Sequence, residues 1–309
     1  MREANDDCLV DSVGNGVIAV IPAFNEARFI GSVVLKARKY VDEVIVVNDG
    51  SEDSTGELAR AAGAIVITHA ENCGKGRALS TGFQRACDLG ADIVATFDAD
   101  GQHFPEELDR LVAPIYSGAA DLVIGSRYLN PNAAIPWIRA WGHKIFNWLT
   151  KFGSGVKVTD SQSGFRAFSR ETLEVLRFSS DGFSIESEMQ FLAQSRNLRI
   201  LEVPITARYP DKPKRPVYQH GLLVLNGLLR LIGQYRPLLF FGVSGLFLML
   251  AGGSLSIYIV NIYQRTRGLA VGYAMISILL FILGSISLST GIILHSIRSL
   301  LLELVAPKE

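Results

Sequence analysis

The sequence predicts an α/β fold: a mostly parallel sheet with helices on both faces, then an interfacial helix and a C-terminal hairpin of two transmembrane helices. Two observations lead to this prediction. Through the first two thirds of the chain, short apolar runs alternate with helical patterns, which is typical of right-handed βαβ units. After Arg236, two long segments contain no charged residue, which is typical of membrane spans.

The strands are predicted from apolar runs that end at turn-forming or polar residues. Pro22 stops the first run, and an Asn-Asp-Gly-Ser sequence ends the second. The runs lie at residues 17–21, 44–47, 64–67, 93–97, 121–127 and 200–203, with one more strand after the glycine-containing loop that begins at Asp160. Helical patterns lie between them at residues 27–40, 53–62, 76–89 and 183–197.

Polar residues come after three of these strands. They are Asn25, Glu26, Asp49, Ser51, Asp98 and Asp100. In parallel α/β sheets, ligands bind outside the carboxyl ends of the strands. Three polar clusters in one alternation therefore favour a nucleotide-type ligand at this edge.

Asp98 and Asp100 are the most informative of these residues. Placed two apart along a strand, they would point to one face and aim both carboxylates at one spot. Two such carboxylates can share a hard divalent cation, with a substrate diphosphate completing the coordination. The alternative is an Asp-Gly turn in which both acids are solvated.

Composition limits the classes of function. The 309 residues include 30 basic and 30 acidic side chains, so no net positive charge recruits nucleic acid. The three cysteines show no CxxC spacing, which argues against disulfides and a zinc site and favours a reducing compartment. Residues 1–16 are polar and acidic where a signal peptide would be apolar, and are expected to form a flexible tail.

The C-terminal part predicts membrane attachment. Residues 216–237 are leucine-rich with Arg230, and are expected to form an amphipathic interfacial helix, with a core helix as the alternative. Residues 238–260 and 271–294 are each long enough to span a bilayer. Glycine and serine are frequent in both, which permits close helix packing. Basic residues before the first span outnumber those in the connecting turn, so the large domain is expected to be cytoplasmic.

Five motifs, taken in order, resemble family 2 glycosyltransferases of the GT-A fold, and most of all the dolichyl-phosphate mannose synthase type. The motifs are the runs at 21–26, 47–51, 97–103, 125–128 and 163–166. The resemblance covers residues 17–215, while the C-terminal hairpin is similar to the anchor of the polyprenyl-phosphate glucosyltransferases, which are oligomeric. The chain is thus expected to comprise a tail at 1–16, a catalytic domain at 17–215, an interfacial helix at 216–237 and a hairpin with a short tail at 238–309.

The resemblance implies a role for individual residues. The donor nucleotide sugar would contact Pro22, Ala23, Phe24, Glu26, Asp49, Lys75, Asp98, Ala99, Asp100, Arg208 and Lys214. Asp98, Asp100 and Gln102 would hold Mg²⁺ or Mn²⁺. The acceptor phosphate would contact Arg127, Arg139 and His143. Asp98, Asp100, Arg127 and Arg139 would be the catalytic residues.

Several positions depart from the family pattern or keep a second interpretation. His143 stands where relatives often carry serine, and Asn48 where many carry aspartate. The basic loop at 208–215 is shorter and more proline-rich than in the mannose synthases, which weakens the assignment of Lys214. Glu186 and Glu188 are predicted either to take part in the site or to lie on a solvated helix face.

The resemblance implies an inverting transfer of a hexose from GDP-mannose, UDP-glucose or UDP-N-acetylglucosamine to a polyprenyl phosphate. The partners would be the nucleotide sugar, the lipid and the membrane, with a homo-oligomer formed through the hairpin. One alternative is a transferase that elongates a glycan. A second, of another class, is an inactive membrane-tethered scaffold. A nucleotidyltransferase would not require the lipid anchor.

Overall fold

A computed structural model describes residues 16–130, 137–175, 185–208 and 217–305. The chain forms two compact units, the first through Leu228 and the second from Leu229. The predicted flexible tail at 1–16 lies almost wholly outside the described residues, as do Lys212, Lys214 and Arg215 of the basic loop.

The first unit is built on a seven-stranded sheet. Its strands are β1 (Val17–Ala23), β2 (Glu43–Asn48), β3 (Ile65–Thr68), β4 (Ile93–Thr96), β5 (Leu122–Ser126), β6 (Arg166–Ser169) and β7 (Ile200–Pro204). The strand order is β3-β2-β1-β4-β6-β5-β7. β6 runs antiparallel to both of its neighbours, and the remaining pairs are parallel. The predicted mostly parallel sheet is confirmed.

Ten α-helices are described. They are α1 (Ile30–Ala37), α2 (Thr55–Ala61), α3 (Lys75–Asp88), α4 (Leu108–Tyr116), α5 (Trp137–Ser154), α6 (Arg170–Val175), α7 (Ile185–Ser195), α8 (Val217–Tyr235), α9 (Pro237–Thr266) and α10 (Val271–Val305).

Helices cover both faces of the sheet, as predicted, because strand residues alternate between two hydrophobic cores. In β1, Val17, Ala19 and Ile21 join α1, α2 and α4 in one core, while Ile18 and Val20 join α3, α6 and α7 in the other. Gly82 lets α3 approach β1 closely, since a β-carbon there would overlap the side chain of Val20.

The topology brings the functional loops to one edge of the sheet. β1 and β2 end side by side, with Ala23 paired to Asn48. The antiparallel β6 begins at Arg166, which is paired with Thr96 at the end of β4 and with Ile124 near the end of β5. The loops that follow four strands and the loop that precedes β6 therefore meet at one place.

Asp98 and Asp100 reach this edge in a way that the sequence did not predict. The expectation that they share a face because they alternate in a strand was wrong, since β4 ends at Thr96. Both carboxylates lie in the turn after the strand, where Gly101 has a φ of +70°. It is the turn, and not strand alternation, that places them.

The second unit is dominated by α9 and α10, which contain the two predicted spans and are long and apolar enough to cross a membrane. Small residues allow the two helices to touch: a β-carbon on Gly245 would lie 2.6 Å from the Gly284 carbonyl oxygen. Two hydroxyls also cross between the helices, from Ser277 to the Gly252 carbonyl (2.7 Å) and from Ser287 to the Phe241 carbonyl (2.8 Å).

Candidate active site

The loops after β1 and β2 are cross-linked at the sheet edge. Asn25, with a φ of +53°, donates its backbone N–H to the Ser51 hydroxyl (3.0 Å) and accepts the Glu52 N–H on its side chain (2.9 Å). The Glu26 N–H donates to the Thr55 hydroxyl (2.8 Å). Next to this junction, the Phe24 ring is 40% exposed. The junction thus presents an aromatic face beside fixed backbone groups, which suits a flat base.

Asp49 is buried and fully engaged with its own chain. Its carboxylate accepts the backbone N–H groups of Cys73 (3.0 Å) and Gly74 (2.8 Å), and lies 2.7 Å from Nδ1 of His69. Nε2 of His69 in turn contacts the Thr81 hydroxyl at 3.0 Å. Asp49 therefore holds the loop that leads into α3, although its predicted role was contact with the nucleotide.

Asp49, His69 and Cys73 also form a group whose ligand atoms all lie within 4.8 Å of one another, so they could hold a metal ion. In the structure both carboxylate oxygens of Asp49 and both ring nitrogens of His69 already have partners in the protein. A metal at this position would have to displace them.

Lys75, the first residue of α3, bridges two carboxylates. Its Nζ lies 2.5 Å from Oδ1 of Asp98 and 2.6 Å from Oε1 of Glu186. Burial would lower the pKa of Lys75, but the two anions outweigh it and raise that pKa above its usual range. Burial would likewise raise the pKa of Asp98, but Lys75 and His103 hold it well below its usual range. Lys75 and Asp98 are thus both charged.

Asp100 stands in the opposite electrostatic situation. Burial and the negative charge of Asp98 raise the pKa of Asp100. Its two oxygens accept the backbone N–H (3.0 Å) and the side-chain amide N–H (2.7 Å) of Gln102. The turn therefore gathers two carboxylates and one amide.

This donor set fits a hard divalent cation. Mg²⁺ and Mn²⁺ prefer carboxylate and amide oxygens, and the positive charge of a cation beside Asp100 would offset the burial and the Asp98 charge that raise its pKa. The structure places Gln102 against Asp100, which is consistent with Gln102 as a ligand or as a residue that orients Asp100. Ala99, between the two aspartates, is buried.

Arg166 belongs to the site, although no individual role was predicted for it. It is 1% exposed and donates to the carbonyls of Ser163 (2.8 Å), Ser161 (3.0 Å) and Glu186 (3.0 Å). Burial lowers the pKa of Arg166 to about 10, against the opposing effect of nearby carboxylates. The signal in the sequence was a charged residue inside the apolar run at 165–168.

One small pocket unites the central residues: Pro22, Lys75, Asp98, Gly164, Arg166 and Glu186 all line it. A β-carbon on Gly164 would lie 2.7 Å from Oδ2 of Asp98, so this glycine allows the carboxylate its position. Glu186 and Glu188 are 7% and 0% exposed, so the interpretation of a solvated helix face was wrong.

Arg127 is brought to the same edge by β5 but is not among the residues that line this pocket. It is buried, and its Nε and Nη2 pair with the two carboxylate oxygens of Asp160 at 2.7 and 2.8 Å. Of the other predicted acceptor residues, Arg139 and His143 lie in α5, and their side chains are outside the described part of the structure.

Arg208 lies against the turn that carries Asp100. Its backbone N–H donates to the Gln102 carbonyl (2.9 Å), and its guanidinium carbon lies 5.0 Å from the centre of the Phe104 ring. The structure therefore places this predicted phosphate-binding cation beside the candidate metal turn.

Known proteins are similar to this chain in sequence and in fold. Residues 18–177 match the family model described as glycosyl transferase family 2. A UDP-N-acetylglucosamine–dolichyl-phosphate N-acetylglucosaminyltransferase of Methanococcus voltae is 35% identical over 63% of this chain and 86% of its own length. A polyprenol monophosphomannose synthase of Mycolicibacterium smegmatis is 34% identical over 61% of this chain and 76% of its own length.

Among solved structures, the chain is similar to glucosyl-3-phosphoglycerate synthase from Mycobacterium tuberculosis in complex with Mn²⁺, UDP and glucosyl-3-phosphoglycerate. The TM-score is 0.58 at 26% identity, over 71% of this chain and 81% of the other. These proteins are named for different sugars, so the shared feature is the fold and not one donor.

Proposed function

The chain belongs to glycosyltransferase family 2, and on that premise we propose that it transfers a hexose from a nucleotide sugar to a polyprenyl phosphate at the membrane surface. One observation carries the proposal. Asp98, which pairs with the Lys75 ammonium, and Asp100, which is held by Gln102, lie in one turn at the carboxyl edge of the sheet, in a chain that also has two helices long and apolar enough to span a membrane. The names of two curated relatives support a lipid phosphate as acceptor.

In this proposal the donor lies along the edge from Phe24 to Asp100. The exposed ring of Phe24 packs on the base, with Pro22, Ala23 and Glu26 beside it. Asp98, Asp100 and Gln102 hold Mg²⁺ or Mn²⁺, which neutralises charge on the nucleoside diphosphate. Mn²⁺ in the structure of the mycobacterial neighbour supports this choice of ion. Lys75, Arg208 and Lys214 supply further positive charge for the donor phosphates.

Arg127 and Arg139 bind the acceptor phosphate, with His143 beside them. A phosphate monoester is largely ionised near neutral pH, so it is a competent nucleophile without a strong general base. Its oxygen attacks the anomeric carbon, the bond from that carbon to the diphosphate breaks, and the nucleoside diphosphate departs with the electron pair. The protein contributes orientation and charge stabilisation. The product is a polyprenyl-phosphate hexose with inverted anomeric configuration.

The test is a donor screen with the full chain in nanodiscs that contain undecaprenyl phosphate. GDP-mannose, UDP-glucose and UDP-N-acetylglucosamine are each supplied with Mn²⁺, Mg²⁺ or EDTA, and glycolipid and released nucleoside diphosphate are measured. One donor should give stoichiometric glycolipid and nucleoside diphosphate, and EDTA should abolish both. Asp109→Asn, on the exposed side of α4, is the matched control for Asp98→Asn.

The contrary result would be metal and nucleotide binding without transfer from any of the three donors. That outcome would favour the inactive scaffold, or an acceptor other than a lipid phosphate. Transfer to an added glycan but not to undecaprenyl phosphate would favour an elongating transferase.

A further inference from the structure

Three elements converge on a short loop at residues 159–161. The first is β5, whose end delivers Arg127. Asp160 is 0% exposed and pairs with the Arg127 guanidinium through two bonds, while its Oδ2 also accepts the Arg127 backbone N–H at 3.2 Å. A bidentate pair of this kind fixes the plane of a guanidinium as well as its position.

The second element is β7, which holds the backbone of the loop. The Glu202 carboxylate accepts the N–H of Thr159 at 2.8 and 2.9 Å and the N–H of Asp160 at 3.1 Å. The Thr159 hydroxyl lies 3.0 Å from Glu202 and 2.6 Å from the hydroxyl of Ser126, the residue before Arg127. The backbone at Asp160 is therefore held by Glu202, independently of the contact between the Asp160 carboxylate and Arg127.

The third element is α5. Asn147 accepts the Ser161 N–H on its side-chain oxygen (2.9 Å) and donates its side-chain N–H to the Thr159 carbonyl. These two bonds bracket Asp160 along the chain. Positions 139, 143 and 147 are four apart, so they lie along one stripe of the helix. Asn147 and Arg139 therefore lie on the same face of α5, and the hydrogen bonds of Asn147 attach this face to the loop.

We propose that residues 159–161 form a positioning loop that sets the placement of Arg127 relative to the helix that carries Arg139. Asp160 positions Arg127 and Asn147 positions α5, while Glu202 holds the loop rigid. The inference rests on the proposed function, in which both arginines bind the acceptor phosphate. Asp160 acts through Arg127 and is a positioning residue, not a catalytic one.

A stabilising role alone does not account for this arrangement. A buried Arg–Asp pair costs desolvation that its Coulombic attraction barely offsets, so it is a poor way to gain stability. What a buried bidentate pair does supply is a single orientation. Two phosphate-binding cations on separate elements require such a constraint, because a displacement of about 1 Å can lower a rate by about 100-fold.

The experiment measures KM separately for donor and for undecaprenyl phosphate in Asp160→Asn, Asn147→Ser and Arg127→Lys. Asp160→Asn should raise the acceptor KM by about 10-fold or more, with the donor KM unchanged. Asn147→Ser should act in the same direction with a smaller effect, since it leaves no buried charge. The double variant Arg127→Lys with Asp160→Asn should have the same acceptor KM as Arg127→Lys alone, because both substitutions disrupt the same Arg127–Asp160 pair.

Asp121→Asn is the matched control. Asp121 also pairs bidentately with an arginine, Arg199, at 2.6 and 3.0 Å, but just before the opposite end of β5. The Asp121→Asn substitution should leave the acceptor KM unchanged. Asp160→Glu keeps the negative charge but displaces the carboxylate, so it should restore only part of the acceptor affinity, whereas a loss of charge balance alone would predict full restoration.

A second measurement keeps the inference falsifiable if Asp160→Asn does not fold. In this measurement, thermal shift reports ligand binding to Asn147→Ser. The variant should bind farnesyl phosphate more weakly than wild type, and should bind UDP and GDP as wild type does. Equal rises in both KM values, an unchanged acceptor KM in folded variants, or the same effect in Asp121→Asn would overturn the inference. If Arg127→Lys and Arg139→Lys also leave the acceptor KM unchanged, the proposed acceptor roles fail, and the inference with them.

Discussion

At the scale of single residues, the three acidic side chains of the site differ in how their negative charge is compensated, and Asp100 is the least compensated of them. Lys75 forms ion pairs with Asp98 and Glu186, whereas Asp100 accepts hydrogen bonds from Gln102, and its pKa is raised even though His103 and Lys75 act to lower it. Because a raised pKa means that folding disfavours the charged carboxylate, ionised Asp100 destabilises the fold at neutral pH. This is a cost that a bound cation would remove.

Asp100→Asn should therefore make the metal-free protein more stable and abolish its response to metal. The sign comes from the raised pKa: the destabilisation is present above the folded-state pKa and disappears as the pH falls through it. We expect the melting temperature without metal to rise by about 2 °C. Wild-type protein should gain several degrees with Mn²⁺ and UDP or GDP, and the variant should gain none.

The measurement is thermal unfolding with EDTA and with Mn²⁺, using Asp109→Asn as the exposed control. A metal-free variant less stable than wild type would show that Asp100 is a structural carboxylate. A variant with an undiminished Mn²⁺ response would remove Asp100 from the metal ligands.

The charge of Lys75 has two proposed roles that can be separated by mutation. It neutralises Asp98 and Glu186 in the fold, and it binds the donor phosphates in the proposed function. Lys75→Met leaves the buried Glu186 and the half-buried Asp98 without their shared cation, which should cost about 3 kcal/mol. Adding Glu186→Gln removes one of those carboxylates and should recover part of the melting temperature. The transfer rate of Lys75→Met, with or without Glu186→Gln, should be at least about 100-fold below that of wild type, since the cation for the donor phosphates is missing in both.

Recovery of activity along with stability in the double variant would show that Lys75 acts only as a structural counterion. Glu186→Gln alone is the control, since it keeps Lys75 with Asp98. The comparison of unfolding curves with steady-state rates separates the two roles of Lys75.

The sequence predicted which residue types gather at the edge but not what each of them touches. Asp49 was assigned to the ligand, yet its carboxylate holds the loop that delivers Lys75. Arg166 and Asp160 were missed because their partners lie far along the chain or on backbone carbonyls, which no local pattern reveals. The roles of Arg139, His143 and Lys214 stay predictions.

At the scale of elements, periodicity predicted the strands well, and failed where a strand is short or reversed. β4 spans only Ile93–Thr96, so its apolar run continued beyond the strand into the turn. β6 is antiparallel between two parallel neighbours, and its direction depends on the long connection through α5. Direction and pairing are set by such non-local packing, which a single run of residues does not encode.

The hairpin depends on close packing between α9 and α10. Gly245 and Gly284 face each other so closely that a side chain on either would meet the backbone of the other helix, and small residues of this kind let membrane helices pack. Gly245→Leu should separate α9 from α10 and lower the melting temperature in nanodiscs by about 5 °C or more.

Gly253→Leu is the matched control, because a β-carbon there meets nothing within 4 Å. The same residue change in the same helix should then be nearly neutral. Equal destabilisation by both substitutions would mean that the seam between α9 and α10 is not what holds the hairpin together.

At the scale of the whole molecule, the zero net charge conceals a division between a charged first unit and an apolar second one. Acidic and basic residues lie almost entirely before Pro237, and the residues beyond it are mostly hydrophobic. This division was readable from the sequence because it depends on composition alone. It supports attachment of the chain to a bilayer through its C-terminal helices.

The distribution of basic residues predicts which end of the hairpin faces the cytoplasm. Arg236 directly precedes α9, and Arg298 on α10 lies 5.2 Å from the Tyr235 ring, so both arginines mark the same end of the hairpin. Arg230 precedes them in α8, and Arg265 and Arg267 mark the opposite end. By the positive-inside rule, the end with more basic residues faces the cytoplasm.

Alkaline phosphatase or green fluorescent protein, inserted after Gly268 or fused after Glu309, would report the side on which each point lies. Phosphatase activity is expected from the insertion after Gly268, and fluorescence from the fusion after Glu309. Replacing Arg236 and Arg298 with glutamine should weaken this bias and give mixed topology, whereas replacing Arg265 and Arg267 should strengthen it. Fluorescence from the turn and phosphatase activity from the C-terminus would place the proposed active site outside the cytoplasm, away from its nucleotide-sugar donors.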